Sequence, residues 1–110
     1  LADALTSVFA IAALLAASPL AYAASGDASV GKKKSTPCAA CHGAEGVSPS
    51  PEFPNLAGQY ADYLEAAMKH YKVGKRKNPI MAEQMKNLSP KDMMDLAAYF
   101  ASLRGLQVKY

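Results

Sequence analysis

Three observations predict an all-α fold. Apolar residues recur at helical spacing in two stretches, Tyr60, Tyr63, Leu64, Ala67, Met68 and Tyr71, then Met93, Leu96, Ala97, Phe100 and Leu103, the i, i+3, i+4 rhythm of a helix with one buried face. Start and stop signals bracket them: Ser89-Pro90-Lys91-Asp92 opens the second stretch, and Gly74 and Gly105 close the two in turn. No stretch alternates apolar and polar residues as a half-buried strand does.

The elements follow in chain order. Ala4 to Gly26 carries no charged residue, Val8 to Ala17 is apolar and alanine-rich, and Ser18-Pro19 then precedes the small-residue pattern Ala21-Tyr22-Ala23. That is the layout of a secretory signal peptide, with cleavage expected after Ala23 and residues 24–110 forming one domain. Left uncleaved, the same run is long enough to anchor the chain in a bilayer. Ala24 to Ala28 is small and polar and reads as a frayed start. Asp27 caps a short helix through Lys34 or Ser35, with Val30 facing inward and Gly31 allowing another helix close, and Thr36-Pro37 ends it.

Gly43 to Gly58 holds three glycines, Gly43, Gly46 and Gly58, with Ser48, Pro49, Ser50, Pro51 and Pro54 between them, and reads as an irregular loop. A loop of that length inside a compact domain needs a reason. Gln59 to about Val73 is a helix, Asn78-Pro79 a turn, Met81 to Lys86 a single helical turn, and Ser89 caps the last helix.

Between the first helix and the loop lies Cys38-Ala39-Ala40-Cys41-His42-Gly43, which contains the only two cysteines in the chain. This C-x-x-C-H run has the spacing of a covalent haem c attachment site. Two thiols three positions apart on a helical turn can each add to one vinyl group of a haem, and the following imidazole then meets the iron as proximal ligand. Two other uses of C-x-x-C compete with this one. A dithiol redox pair sits between a strand and a helix, and no strand run precedes Cys38; a structural zinc needs four ligands, and only His70 remains to complete the set. A haem gives the long loop its reason, with Phe53 and Leu56 against the haem edge.

Charge narrows the classes of partner. Without residues 1–23 the chain loses one acidic residue, Asp3, leaving twelve basic against eight acidic side chains, a mildly basic balance that haem propionates would partly offset. Lys32, Lys33 and Lys34 form one cluster and Lys72, Lys75, Arg76 and Lys77 another, a lysine-rich face for an acidic partner. Nothing resembles a reading helix or a stacking sheet, so nucleic acid is not an expected partner. A domain this small struggles to bury enough apolar surface alone, and a covalent haem supplies the missing core.

The second axial position decides whether a haem carries electrons or binds small molecules. Met68, Met93 and Met94 fall in regular helices as core filler, and His70 sits on a surface between Lys69 and Tyr71. Met81 and Met85, in the stretch after Asn78-Pro79, are the two candidates.

Taken with Phe53-Pro54-Asn55-Leu56-Ala57-Gly58-Gln59, Asn78-Pro79-Ile80-Met81, Leu88-Ser89 and Leu96-Ala97-Ala98-Tyr99-Phe100, the haem motif resembles the class I c-type cytochromes, and among them the small bacterial monohaem c553, c5 and c4 types. The likeness covers residues 25 to 104 and implies three to five helices around one haem c. It implies a distal methionine eight positions before Ser89, which is Met81, with Met85 lining the pocket. It also implies a proline carbonyl, Pro54, holding the His42 ring through Nδ1, a crossing of Gly31 with Tyr99 or Phe100, and Tyr71 and Arg76 near a propionate.

The expected function is one-electron transfer in the periplasm without catalysis, by a monomer or weak oligomer exchanging electrons with a membrane cytochrome complex, oxidase or reductase. The alternatives are a haem-based sensor or small-ligand binder with a displaceable methionine, and a haem subunit of a larger redox complex.

Overall fold

The structure, a computed structural model, describes residues 26–105; the expected signal segment lies outside the described residues. Five helices follow one another: α1 Ala28–Lys34, α2 Thr36–His42, α3 Ala61–Val73, α4 Pro79–Met85 and α5 Pro90–Ser102. The described residues form no strand. None of their helices is long and apolar enough to cross a membrane.

Helix α5 is the spine. Its start is the capping box expected from sequence: the Asp92 N–H donates to Ser89 Oγ at 3.1 Å, and the Ser89 N–H donates to Asp92 Oδ2 at 2.9 Å. Leu96, Ala97, Tyr99 and Phe100 are buried along it and meet Leu64 of α3. The helix ends at Ser102, before the expected Gly105, because other groups take up the last-turn carbonyls. Ser102 Oγ donates to the Tyr99 carbonyl at 2.6 Å, and the Gly58 N–H donates to that of Phe100 at 3.0 Å.

Helix α1 packs across α5. A Cβ at Gly31 would lie 1.9 Å from the Asp95 carbonyl oxygen and 2.8 Å from the Tyr99 Cβ, so only glycine lets the backbones meet. This is the glycine-on-aromatic crossing implied by the resemblance, with Tyr99 as the partner. Asp27 caps α1 as expected, accepting from the Ser29 and Val30 N–H groups.

Asp27 also fastens the start of the domain. Its N–H donates to Oδ1 of Asp95, a fully buried carboxylate on α5, at 2.8 Å, so the stretch from Gly26 is tied down where a frayed start was expected. Lys34 Nζ sits 2.8 Å from Asp95 Oδ2 and 2.6 Å from Asp92, and Lys91 Nζ 2.9 Å from Asp95 Oδ2. The bond to Lys34 leads the causes that hold the Asp95 carboxyl well below the usual range, followed by the Asp27 N–H and Lys91. The same lysine, with the Ser89 N–H, brings Asp92 down to about 2.

Two local expectations need correction. Thr36-Pro37 does not simply end the first helix: only Ser35 intervenes, and Pro37 stands in the first turn of α2, where its missing N–H costs nothing. Residues 79–85 form a two-turn helix, α4, in place of a turn at Asn78-Pro79 followed by a single helical turn over Met81 to Lys86. The Asn78 side chain accepts from the Ile80 and Met81 N–H groups and Pro79 fills the first position, so Asn-Pro acts here as a helix start.

Candidate haem site

Helix α2 presents the C-x-x-C-H motif. Cys38 and Cys41 are half-buried one turn apart, His42 is buried at the end, and Gly43 follows with φ +83°. A side chain at Gly43 would place its Cβ 1.9 Å from the Val47 carbonyl, so glycine is what lets the chain leave the histidine and enter the loop. The loop runs without regular structure, as expected, and returns Pro54 to His42.

The His42 Nδ1 lies 2.8 Å from the Pro54 carbonyl oxygen. A carbonyl only accepts, so Nδ1 carries the proton and Nε2 is left with its lone pair. Such a bond fixes the tautomer and the plane of a ligating ring. Of the three prolines in the loop, the structure brings the one implied by the resemblance.

Cys38, Cys41, His42 and Pro54 share a cavity of about 460 Å³, within the roughly 300–1,000 Å³ usual for cofactor sites. The loop adds Phe53 and Leu56 to its wall, α3 adds Tyr63, Met68 and Tyr71, α4 adds Met81 and Met85, and Leu96 and Phe100 of α5 close its floor. Every residue expected at the haem site lines this one space, Arg76 included. His70 does not: it is exposed on α3, as expected, and cannot complete a zinc set with the motif. Burial, with the Cys41 thiol beside it, pushes the Cys38 thiol up, the opposite of what a reactive dithiol requires.

The two methionines on α4 differ in surroundings. Met85 is only 2% exposed, covered by protein. Met81, one turn earlier, is half-buried and borders the cavity. At the mouth, Arg76 donates to the Tyr63 hydroxyl at 3.4 Å and lies over the Tyr71 ring, 4.9 Å from its centre. The bond to Tyr63 raises the guanidinium's already high pKa.

Sequence reasoning overlooked Tyr63, Ala67 and Met68 as cavity wall. Their helical face was legible, but that it splits between the core at Leu64 and the cavity was not. It also overlooked Asp95, which lies off the apolar face that the pattern of α5 marks.

The Cytochrome c family profile matches residues 28–104. The chain belongs to the cytochrome c family. It is 53% identical over 83 residues to cytochrome c4 of Pseudomonas aeruginosa, covering 76% of this chain and 41% of that one. It is 44% identical to cytochrome c-554(548) of Halomonas halodenitrificans, covering 70% of this chain and 96% of the relative. Among solved structures, reduced recombinant cytochrome c4 from Pseudomonas stutzeri superposes with a TM-score of 0.71 at 41% identity, over 74% of this chain and 48% of that one. The chain thus spans about two fifths of the P. aeruginosa cytochrome c4 and nearly all of the Halomonas cytochrome.

Membership makes this a cytochrome with a covalent haem c, and the all-α fold around the cavity is the class I arrangement. The donor set fits the group: both cysteines of the chain, a histidine with its Nε2 free and a largely apolar enclosure converge on one space.

Proposed function

We propose that this cytochrome is a periplasmic one-electron carrier in which His42 and Met81 hold the iron from opposite sides, serving respiratory or other redox partners and catalysing no reaction of its own. The observation that carries the reading is the His42 Nδ1 to Pro54 bond at 2.8 Å, made where Met81 borders the same cavity. The Pro54 carbonyl holds the Nδ1 proton and keeps the imidazole from rotating, which leaves Nε2 as the nitrogen for iron. Met81 offers a thioether that the protein leaves half-buried, whereas Met85 is spent on packing.

When bound, the haem supplies a one-electron couple whose potential methionine ligation and a dry pocket raise. Were His42 and Met81 both to hold the iron, no position would be left open for a substrate, and no acid, base or nucleophile would be required. Phe53, Leu56, Leu96 and Phe100 exclude water from the site, while Tyr71 and Arg76 stand at its mouth to meet a propionate. The Halomonas relative, almost fully covered by this chain, supports a cytochrome unit of this size working by itself. The longer cytochromes c4 support the second reading, one haem unit of a larger redox protein.

The test is the ferric visible spectrum of Met81→Ala and Met85→Ala. The sulfur-to-iron band at the red end of the visible disappears in Met81→Ala and persists in Met85→Ala. Its absence from the unaltered protein would favour a small-ligand binder or sensor, and its loss in Met85→Ala alone would exchange the two methionines.

A further inference from the structure

The loop that carries Pro54 is closed at two levels. At its base the Gly46 carbonyl accepts from the Leu56 and Ala57 N–H groups, at 2.8 and 3.0 Å. Nearer the tip, the Ser48 N–H donates to Asn55 Oδ1 at 2.6 Å. A backbone N–H only donates, so the amide oxygen of Asn55, and not its nitrogen, faces Ser48. Ser48 is in turn fixed by its own arm of the loop. Its Oγ accepts from the Ser50 N–H at 3.2 Å and lies 2.6 Å from the Ser50 carbonyl, which takes its one proton, and 3.2 Å from the carbonyl of Cys41, the residue before His42.

Asn55 matters because of what precedes it. The carbonyl that meets His42 Nδ1 at 2.8 Å belongs to the peptide between Pro54 and Asn55. A peptide is planar, so the direction of that carbonyl turns with the Asn55 backbone. Pro54 brings no N–H of its own to tie it to the loop. Packing does not hold the pair either: His42 is 7% exposed, whereas Pro54 and Asn55 are both exposed. The imidazole is therefore set by the core, and the group that accepts its proton is set by the hydrogen bonds of the loop.

We infer that Asn55 is a positioning residue for the iron site: its bond to the Ser48 N–H keeps the Pro54 carbonyl on the His42 Nδ1 proton and so sets how strongly the imidazole donates to iron. The inference rests on the proposed electron-carrier reading, with His42 as a ligand, and adds to it a residue that acts through two others. A hydrogen bond at Nδ1 raises the basicity of a ligating histidine, and a more basic ligand favours ferric over ferrous iron. Loss of the Asn55 bond moves that balance toward ferrous and raises the potential.

The test compares the holoproteins of Asn55→Ala, Asn55→Asp and Val47→Ala with the unaltered protein, by redox titration and by solvent exchange of the His42 Nδ1 proton in the ferrous NMR spectrum. The bonds at Gly46 keep the base of the loop closed in each. Asn55→Ala shifts the equilibrium toward ferrous by about threefold or more, which is about 28 mV at 59 mV per tenfold for one electron. It also speeds Nδ1 exchange by about fivefold or more, as loss of an ordinary hydrogen bond does. Asn55→Asp keeps an oxygen for the Ser48 N–H, so its exchange stays within about twofold of the unaltered rate, and its potential does not rise, since added negative charge also favours ferric iron. Val47→Ala, which trims an exposed side chain of the same loop, changes neither.

Unchanged potential and exchange in Asn55→Ala would overturn the inference. So would a raised potential with exchange unchanged, which would assign the effect to water entering the cavity that Asn55 lines. Faster exchange in Asn55→Asp, equal to that in Asn55→Ala, would overturn it as well, because the accepted bond would then not be what counts. Failure of the carrier reading has a separate signature: the ferric spectrum of the unaltered protein would lack the sulfur-to-iron band.

Discussion

Helices α1 and α5 meet over a closed surface, with Gly31 against the Asp95 backbone, Asp95 fully buried and its carboxylate bonded to Asp27, Lys34 and Lys91. The half formed by α2, the 43–58 loop, α3 and α4 surrounds a cavity of about 460 Å³. Both halves share α5, whose Leu96 and Phe100 serve the core and the cavity floor. The difference shows what each half is made of. Backbone contact and ion pairing complete the first; the second is shaped for a group that the chain does not itself encode. The two should therefore respond differently to the same kinds of change.

The largest effect falls on the cavity half. Cys38→Ser/Cys41→Ser removes both thioether sites, and the haem stain of a denaturing gel should vanish completely. On the closed half the largest is Gly31→Ala. The added Cβ would sit 1.9 Å from the Asp95 carbonyl, so the helices must separate. We expect a loss of about 2–4 kcal/mol in urea unfolding of the holoprotein, with the haem still attached. A cost below about 1 kcal/mol would mean that α1 slides on α5, and that the closure is looser than the contact implies.

Acid acts on the closed half next. Asp92 and Asp95 hold their protons less tightly in the folded chain than the unfolded value of about 3.9, chiefly through Lys34. Their contribution to stability is then complete above that value and lost as pH falls toward about 2, the folded value of Asp92. The urea midpoint should stay level from neutral pH down to about 5 and drop between about 4 and 2. Asp92→Asn should flatten that drop; a drop of unchanged steepness would place the acid sensitivity in the cavity half instead.

How much of this was legible in the sequence follows the same division by distance along the chain. The capping box of Ser89 and Asp92 and the Cys38 to His42 motif are local chemistry, complete within a few residues, and both were read directly. Pro54 lies twelve positions from His42 and came into view only through the resemblance to class I cytochromes. Asp95 takes its partners from 61 and 68 positions away, and on one helix face it looks like any surface acid near a lysine. Asn78-Pro79 and Thr36-Pro37 misled for a different reason: a proline that stops one helix is equally suited to the first turn of the next, and only the following backbone decides.

The finest comparison uses one chemical change in both halves. Tyr99 is 7% exposed, and its hydroxyl donates to the Ala44 carbonyl at 3.2 Å; Tyr63 is 50% exposed, and its hydroxyl accepts from Arg76 at 3.4 Å. Tyr99→Phe leaves a part-buried carbonyl without its partner and should cost about 1 kcal/mol. Tyr63→Phe exposes a guanidinium that water solvates at once, so the change should stay under about 0.5 kcal/mol. Urea unfolding of the two holoproteins decides the ranking. If Tyr63→Phe proves the more costly, the Tyr63, Arg76 and Tyr71 group is a structural clasp that closes the cavity mouth. The exposed rim would then belong to the folded core's energetics, and the contrast between a closed half and an open one would fail at that edge.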